Sequence, residues 1–184
     1  MNHLIGALDA LLELKSATIA IDGPCAGGKS TLAVKLRAHY EDAIVFHMDD
    51  FFLLPAQRTK QRLSIPGNNV DHERFMREVL LPLKGGLPFT YRAYSCKSQS
   101  FEAREARPAR LNIIEGSYCL HPSLQTYYDL KVFLDVDPDE QAVRIVRRSA
   151  ATGAARFFDE WIPLENSYFE AYGIRDISDI LLVP

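Results

Sequence analysis

Ala17-Thr18-Ile19-Ala20-Ile21 leads, through Asp22, into Gly23-Pro24-Cys25-Ala26-Gly27-Gly28-Lys29-Ser30, and that into Thr31-Leu32-Ala33-Val34-Lys35-Leu36-Arg37. The first run is short and apolar and reads as a buried strand. The last carries apolar residues at helical spacing. Between them the letters fit G-x-x-x-x-G-K-[ST], a phosphate-binding loop, and strand–loop–helix is the setting that loop requires.

The chemistry follows from the geometry. Glycines let the loop turn its N–H groups inward toward phosphate oxygens. A helix starting near Lys29 adds its positive dipole end. Lys29 can then reach the β- and γ-phosphates, and the Ser30 hydroxyl can ligate Mg²⁺. The expected nucleotide-binding set is Gly23, Ala26, Gly27, Gly28, Lys29, Ser30 and Thr31. With strand and helix in place, an ordinary glycine-rich turn is the weaker reading.

Working outward, 184 residues fit a single domain, 1–184. A hydrophobic content of 47% and a charged content of 24% are those of a soluble globular chain. A net charge of −3 argues against general nucleic-acid binding, which calls for a basic face. The three cysteines, Cys25, Cys96 and Cys119, show no metal-ligand spacing, so a reduced, cytoplasmic protein is the economical expectation. No apolar run reaches the length of a membrane span, and the first residues do not read as a signal peptide. Leu4, Ile5, Leu8, Leu11, Leu12 and Leu14 instead predict an amphipathic helix over 2–15, packed on the domain. The same face is where a homo-oligomer would form, the second choice for it.

Further apolar runs at 43–48, 111–114, 130–134 and 179–183 predict four more strands, alternating with helical stretches at 73–81, 138–148 and 159–171. The last of these should break near Pro163. Asp137 is the expected cap of the helix that Pro138 opens. Such alternation predicts an α/β fold: a parallel sheet of about five strands with helices on both faces. Ligands then sit beyond the carboxyl ends of the strands. Residues 53–70 form a long loop, the expected acceptor side.

Acids stand at those strand ends: Asp49 and Asp50 after the second strand, Glu115 after the third in the run 111–114. A Mg–triphosphate site needs carboxylates for the metal or its waters, and an acceptor hydroxyl needs one to orient it. Neighbours in extended chain point to opposite faces, so Asp49 and Asp50 should not share a role.

The motifs IDGPCAGGKST, HMDDFF, NNVDHERF, IIEGSYCL, FLDVDP and SDILL together resemble uridine kinase and its relatives among P-loop kinases, a group that includes phosphoribulokinase and bacterial-type pantothenate kinase. The resemblance runs from about Thr18 to Val183 and implies a P-loop NTPase fold. It also implies Asp49 as the catalytic acid beside the acceptor hydroxyl, with Lys29. Glu115 would attend the metal with Ser30, Asp71 would bind ribose hydroxyls, and Tyr94 would lie near the nucleobase. Phe52 stands where uridine kinases usually have tyrosine. Ser95 stands where they usually have aspartate, and the histidine expected soon after is absent, so the acceptor's identity stays open.

Arg144, Arg147, Arg148 and Arg156 flank the small-residue stretch 149–155 and predict a lid around 144–156 whose guanidinium forks grip phosphate while a Gly/Ala hinge closes. Arg58, Lys60 and Arg62 read as solvated loop charges. His47, His72 and His121 read as structural. Phe157, Phe158, Trp161 and Tyr168 read as a helix face in the core rather than a stacking platform. The function expected is transfer of the γ-phosphate of ATP, with Mg²⁺, to a small-molecule acceptor of nucleoside type. The alternatives are a pantothenate, sugar or sugar-phosphate kinase, and a regulatory ATP-binding module. An Asn-Lys-x-Asp guanine motif is missing, which weakens a GTPase reading.

Overall fold

The apolar runs assemble as read. A computed structural model of the chain describes residues 1–149 and 153–183. Residues 150–152, inside the expected hinge, and 184 lie outside that description. The strands are β1 (Ala17–Asp22), β2 (Ala43–His47), β3 (Phe89–Ser95), β4 (Ser100–Ala106), β5 (Leu111–Glu115), β6 (Leu130–Leu134) and β7 (Ile180–Leu182). Five of them form one sheet in the order β2-β5-β1-β6-β7, with every pairing parallel. The phosphate loop therefore leaves the central strand, with β5 and β6 on either side.

Alternation along β1 sorts the two cores. Ile19 and Ile21 face a cluster that includes Leu4 and Leu8 of α1 (Asn2–Leu14) and Leu32 and Leu36 of α2 (Lys29–His39). Leu4 and Leu8 are fully buried, each contributing about 1.5–3 kcal/mol. Helix α1 thus packs on the domain, ending one residue earlier than expected, where Lys15 turns extended. Ala20 faces the other core, with Phe46, Phe51, Phe75 and Tyr168.

That second face is covered by helices with an irregularity in common. After the short α3 (Lys60–Leu63), α4 (His72–Phe75) passes through a π turn, Met76–Leu80, into α5 (Leu81–Gly85). After α6 (Pro138–Ser149), α7 (Ala154–Arg156) passes through a π turn, Phe157–Trp161, into α8 (Ile162–Ala171). Just beyond each π turn stands a proline, Pro82 and Pro163. A proline removes one N–H from the ladder, and a wide turn beside it re-registers the bonds. The helix is therefore carried past Pro163, where the sequence predicted a break. Asp137 caps α6 as expected, accepting from the Asp139 and Glu140 amides at 2.9 and 3.3 Å.

The antiparallel hairpin β3–β4 was not expected. Its second strand, Ser-Phe-Glu-Ala-Arg-Glu-Ala, is mostly exposed and gives no apolar alternation to read. The loop 53–70 is also more ordered than its composition suggests. Arg62, read as solvated, donates to the Asn68 and Val70 carbonyls and pairs with Glu73 at 2.6 Å, folding the loop back on itself.

One buried group ties these layers together. Asp22, fully buried at the end of β1, accepts from the Gly23, Tyr118 and Leu120 amides at 2.7, 3.2 and 2.8 Å and from the Tyr168 hydroxyl at 2.8 Å. Burial pushes its pKa up from 3.8 to about 6, even against those donors and the nearby Lys29 charge. The native state therefore holds the proton more tightly than the unfolded chain does, and stability falls as pH rises from 3.8 to about 6. The loss is roughly 3 kcal/mol and is complete above that window. Asp22→Asn has nothing to titrate, so urea unfolding should show wild type losing ground to the variant across those pH values. Two stability profiles that run parallel there would contradict the raised pKa.

Candidate active site

The loop's shape is set by close approach. Gly23 has φ +139°, and a Cβ there would lie 2.3 Å from the Leu134 carbonyl oxygen. Gly28 takes φ +101° as the residue preceding α2, and Ala26 also has positive φ. Lys29 is buried and curls back across the loop, its ammonium donating to the Gly23 and Pro24 carbonyls at 2.7 and 2.8 Å and to Ser117 Oγ at 3.2 Å.

Two helices brace the loop from outside it. From α6, Gln141 donates to the Cys25 carbonyl at 2.9 Å, and Arg144 reaches the Ala26 and Gly27 carbonyls at 3.3 and 3.4 Å. From α8, the buried Glu165 accepts the Cys25 amide at 2.8 Å on one oxygen and the Ser117 hydroxyl at 2.6 Å on the other. Burial, with Glu165 beside it, pushes the Cys25 thiol up to about 12. It stays protonated at neutral pH and behaves as a packing group.

The acids close the opposite wall. Glu115 ends β5 almost fully buried, 3.1 Å from the Ser30 hydroxyl through either oxygen and 2.5 Å from His47 Nδ1. His47, read as structural, thus clamps the acid expected to serve the metal. Its pKa is raised by that hydrogen bond to Glu115, against burial. The next residue, Gly116, has φ +135°, and a Cβ there would meet Met48 Cβ at 2.8 Å. Asp49 is the second residue of the short turn after β2 and lines the same space. Burial raises its pKa, Glu115 and Glu165 push the same way, and Lys29 and His47 oppose them. Asp50 points elsewhere, to Arg104 on β4 at 2.6 Å. The two neighbours do divide, although a tight 3-10 turn, Met48–Phe51, and not extended chain holds them.

A cavity of about 460 Å³ lies among these groups. Ala26 to Thr31 line it, with Arg144 and Arg148. Asp49, Phe52, Cys96, Phe157 and Trp161 line it as well. Tyr168 is fully buried in the core as expected, but Phe158 is 40% exposed, and Phe157 and Trp161 border the cavity. The π turn accounts for this, because a wider turn rotates those side chains off the face that a regular helix would present.

Not every expected residue reaches the cavity. Asp71 is the buried N-cap of α4, accepting from the Arg74 amide at 3.0 Å and from Gln57 at 2.8 Å, with the Arg74 guanidinium 3.6 Å away. Tyr94 is buried on β3 against Phe101, ring centroids 5.3 Å apart. Arg147 is exposed outside the lining, and Arg156 pairs with Glu160 at 2.7 Å. Conversely, Glu165 and Ser117 were missed. The available signal for Glu165 was an acid one helical turn before a core tyrosine, hence on the buried face.

No protein-family model matches the chain. Solved structures do. A possible uridine kinase from Bacillus stearothermophilus superimposes with a TM-score of 0.72 at 19% identity, over 98% of this chain and 99% of that one. A candidate fructose transport system kinase from a Silicibacter species gives 0.70 at 22% identity, over 97% and 98%. YFH7 of Saccharomyces cerevisiae, described as a candidate P-loop kinase with a circular permutation, gives 0.66 at 13% identity, over 98% of each chain. At these identities the likeness is one of fold. The chain has the P-loop kinase fold: a five-stranded parallel sheet with helices on both faces, as its sequence implied. Among the described residues no helix is long and apolar enough to cross a membrane.

Glu165→Ala removes the acceptor of the Cys25 amide and leaves the Ser117 hydroxyl only the Gly23 carbonyl. Leaving a buried donor unpaired costs about 1–3 kcal/mol, and the loop loses its brace. Chemical denaturation should register that loss, and calorimetry should register weaker ATP binding. Unchanged ATP affinity in a variant of normal stability would show that α8 does not shape the loop.

Proposed function

We propose that the chain is a phosphotransferase that moves the γ-phosphate of ATP to a hydroxyl of a small, uncharged acceptor of nucleoside type. The observation that carries this reading is convergence. The phosphate loop, Lys29, the Ser30–Glu115 pair and Asp49 all border one cavity. The uridine kinase description attached to one similar structure agrees with it.

In this reading the loop amides and Lys29 hold the triphosphate, and the ammonium exchanges Ser117 for a phosphate oxygen. Ser30 and Glu115 are hard oxygen donors held 3.1 Å apart, a set that fits Mg²⁺ directly or through water. When bound, the ion would offset charge on the β- and γ-phosphates. Asp49 accepts the proton of the acceptor hydroxyl as its oxygen bonds to the γ-phosphorus and the bond to the ADP oxygen breaks. A base works best when its pKa approaches the working pH, and the surroundings of Asp49 move it in that direction. Arg144, bonded to the loop, and Arg148 both line the cavity and suit charge that develops during transfer. Closure by the segment around 144–156 would exclude water, as expected for a kinase lid.

Charge placement supports an uncharged acceptor. The cations lining the cavity are Lys29 and Arg144, both bonded to phosphate-loop carbonyls, and the exposed Arg148. Arg58 and Arg156, beside the aromatic wall, both pair with Glu160. A sugar phosphate would need its own basic pocket, so an uncharged acceptor fits better. A regulatory ATP-binder would have no use for a carboxylate poised beside the γ-phosphate position. The three cysteines are free, in keeping with the cytoplasmic setting we also propose.

Asp49→Asn should keep ATP affinity within about twofold while turnover falls by roughly 10²–10⁴. In wild type, kcat/KM should decline as pH drops through a pKa above the ordinary Asp value of 3.8, since the base must be ionised. Near-normal turnover in the variant would remove Asp49 from the role.

A further inference from the structure

Resting on that reading, we propose that Trp161, with Phe52, forms the platform on which the acceptor's planar ring stacks. The resemblance to uridine kinases assigns the ring's neighbour to Tyr94. That side chain is buried on the hairpin itself and does not border the cavity. Trp161 and Phe52 do border it. Their ring centroids lie 5.6 Å apart at an interplanar angle of 61°, so an edge of one meets a face of the other, leaving aromatic surface turned to the cavity.

The platform is anchored from behind. The Arg156 guanidinium lies over the Trp161 ring, 5.3 Å from its centroid. Glu160, the residue before Trp161, binds Arg156 at 2.7 Å and Arg58 at 3.3 Å. Arg58 belongs to the loop that follows Phe52, so one carboxylate ties that loop to the Arg156 that lies over Trp161. Phe52 is also held by a backbone bridge to Val70. Asp49 lies only a few residues before Phe52 in the short turn after β2. A ring stacked on this wall therefore keeps its attached hydroxyl arm near the carboxylate. Aromatic stacking grips any flat ring and reads little of its hydrogen-bonding edge. The site would then accept more than one pyrimidine nucleoside, which fits the absence of the base-side Asp and His noted at Ser95.

Trp161 is the sole tryptophan of the chain, so its fluorescence reports on this wall without any turnover. Uridine, cytidine, D-ribose and ADP are titrated separately into the wild-type protein, with calorimetry in parallel. Calorimetry is repeated on W161A and W161F. Uridine or cytidine should quench saturably, and D-ribose and ADP should not. W161A should raise the nucleoside Kd by about tenfold or more with the ADP Kd unchanged, and W161F should restore binding to within about threefold. Nucleoside binding by calorimetry with no quench and no W161A effect overturns the platform and leaves the nucleoside reading standing. Quenching by ADP that W161A weakens assigns the wall to adenine and also overturns it. No nucleoside binding at all, with ADP still bound, removes the nucleoside reading and the platform with it.

Discussion

A phosphate loop must keep its amides pointing inward before any phosphate arrives, and here that rests on a carboxylate with no exposure to water. Asp22 ends the central strand and gathers four donors, from the loop, the segment after β5 and α8. Burial of an acid is costly, which its raised pKa records, and the donors offset only part of that cost. What the fold gains is a fixed junction among three segments that later share one cavity. Glu165 and Gln141 extend the same logic outward, each holding Cys25 from a different helix. The loop is thereby preorganised, which is where a reaction governed by positioning and electrostatics needs its rigidity.

From that junction the cavity acquires two unlike kinds of lining. Parallel strands deliver Glu115 and Asp49 to the carboxyl edge of the sheet, and the helix dipole and Lys29 bring positive charge to the loop. An aromatic part of the wall, Phe52, Phe157 and Trp161, is supplied by the turn after β2 and by a π turn beyond the expected lid. Its cations are spent on Glu160. In the proposed reading, the positive charge of the loop and the Phe52–Trp161 wall divide anion binding from ring binding within one cavity that Asp49 also lines. Such a division suits a charged donor and an uncharged acceptor.

Most of the frame could be read from residues alone, because buried parallel strands leave continuous apolar runs and the phosphate loop has a fixed spelling. All five sheet strands stand within a residue or two of where the runs placed them. The hairpin stayed hidden because β4 is solvated and carries charges where a reader looks for alternation. Phe157 and Trp161 were assigned to the core on regular helical spacing, and a π turn breaks that spacing. Arg62 looked like a loop charge because nothing local announces that its guanidinium folds back onto the Asn68 and Val70 carbonyls. Glu165 and Asp22 were passed over because a buried acid's partners come from distant segments. Periodicity reports local geometry, and these contacts are long-range.

The most direct measurement is mass spectrometry of the products formed from Mg–ATP with nucleosides, pantothenate, sugars and sugar phosphates, using Lys29→Ala as the control. The account predicts a monophosphate of an uncharged, ring-bearing acceptor, formed with stoichiometric ADP and absent in the control. ATP binding without any acceptor-dependent ADP across the panel, or a product formed from a sugar phosphate alone, would contradict it.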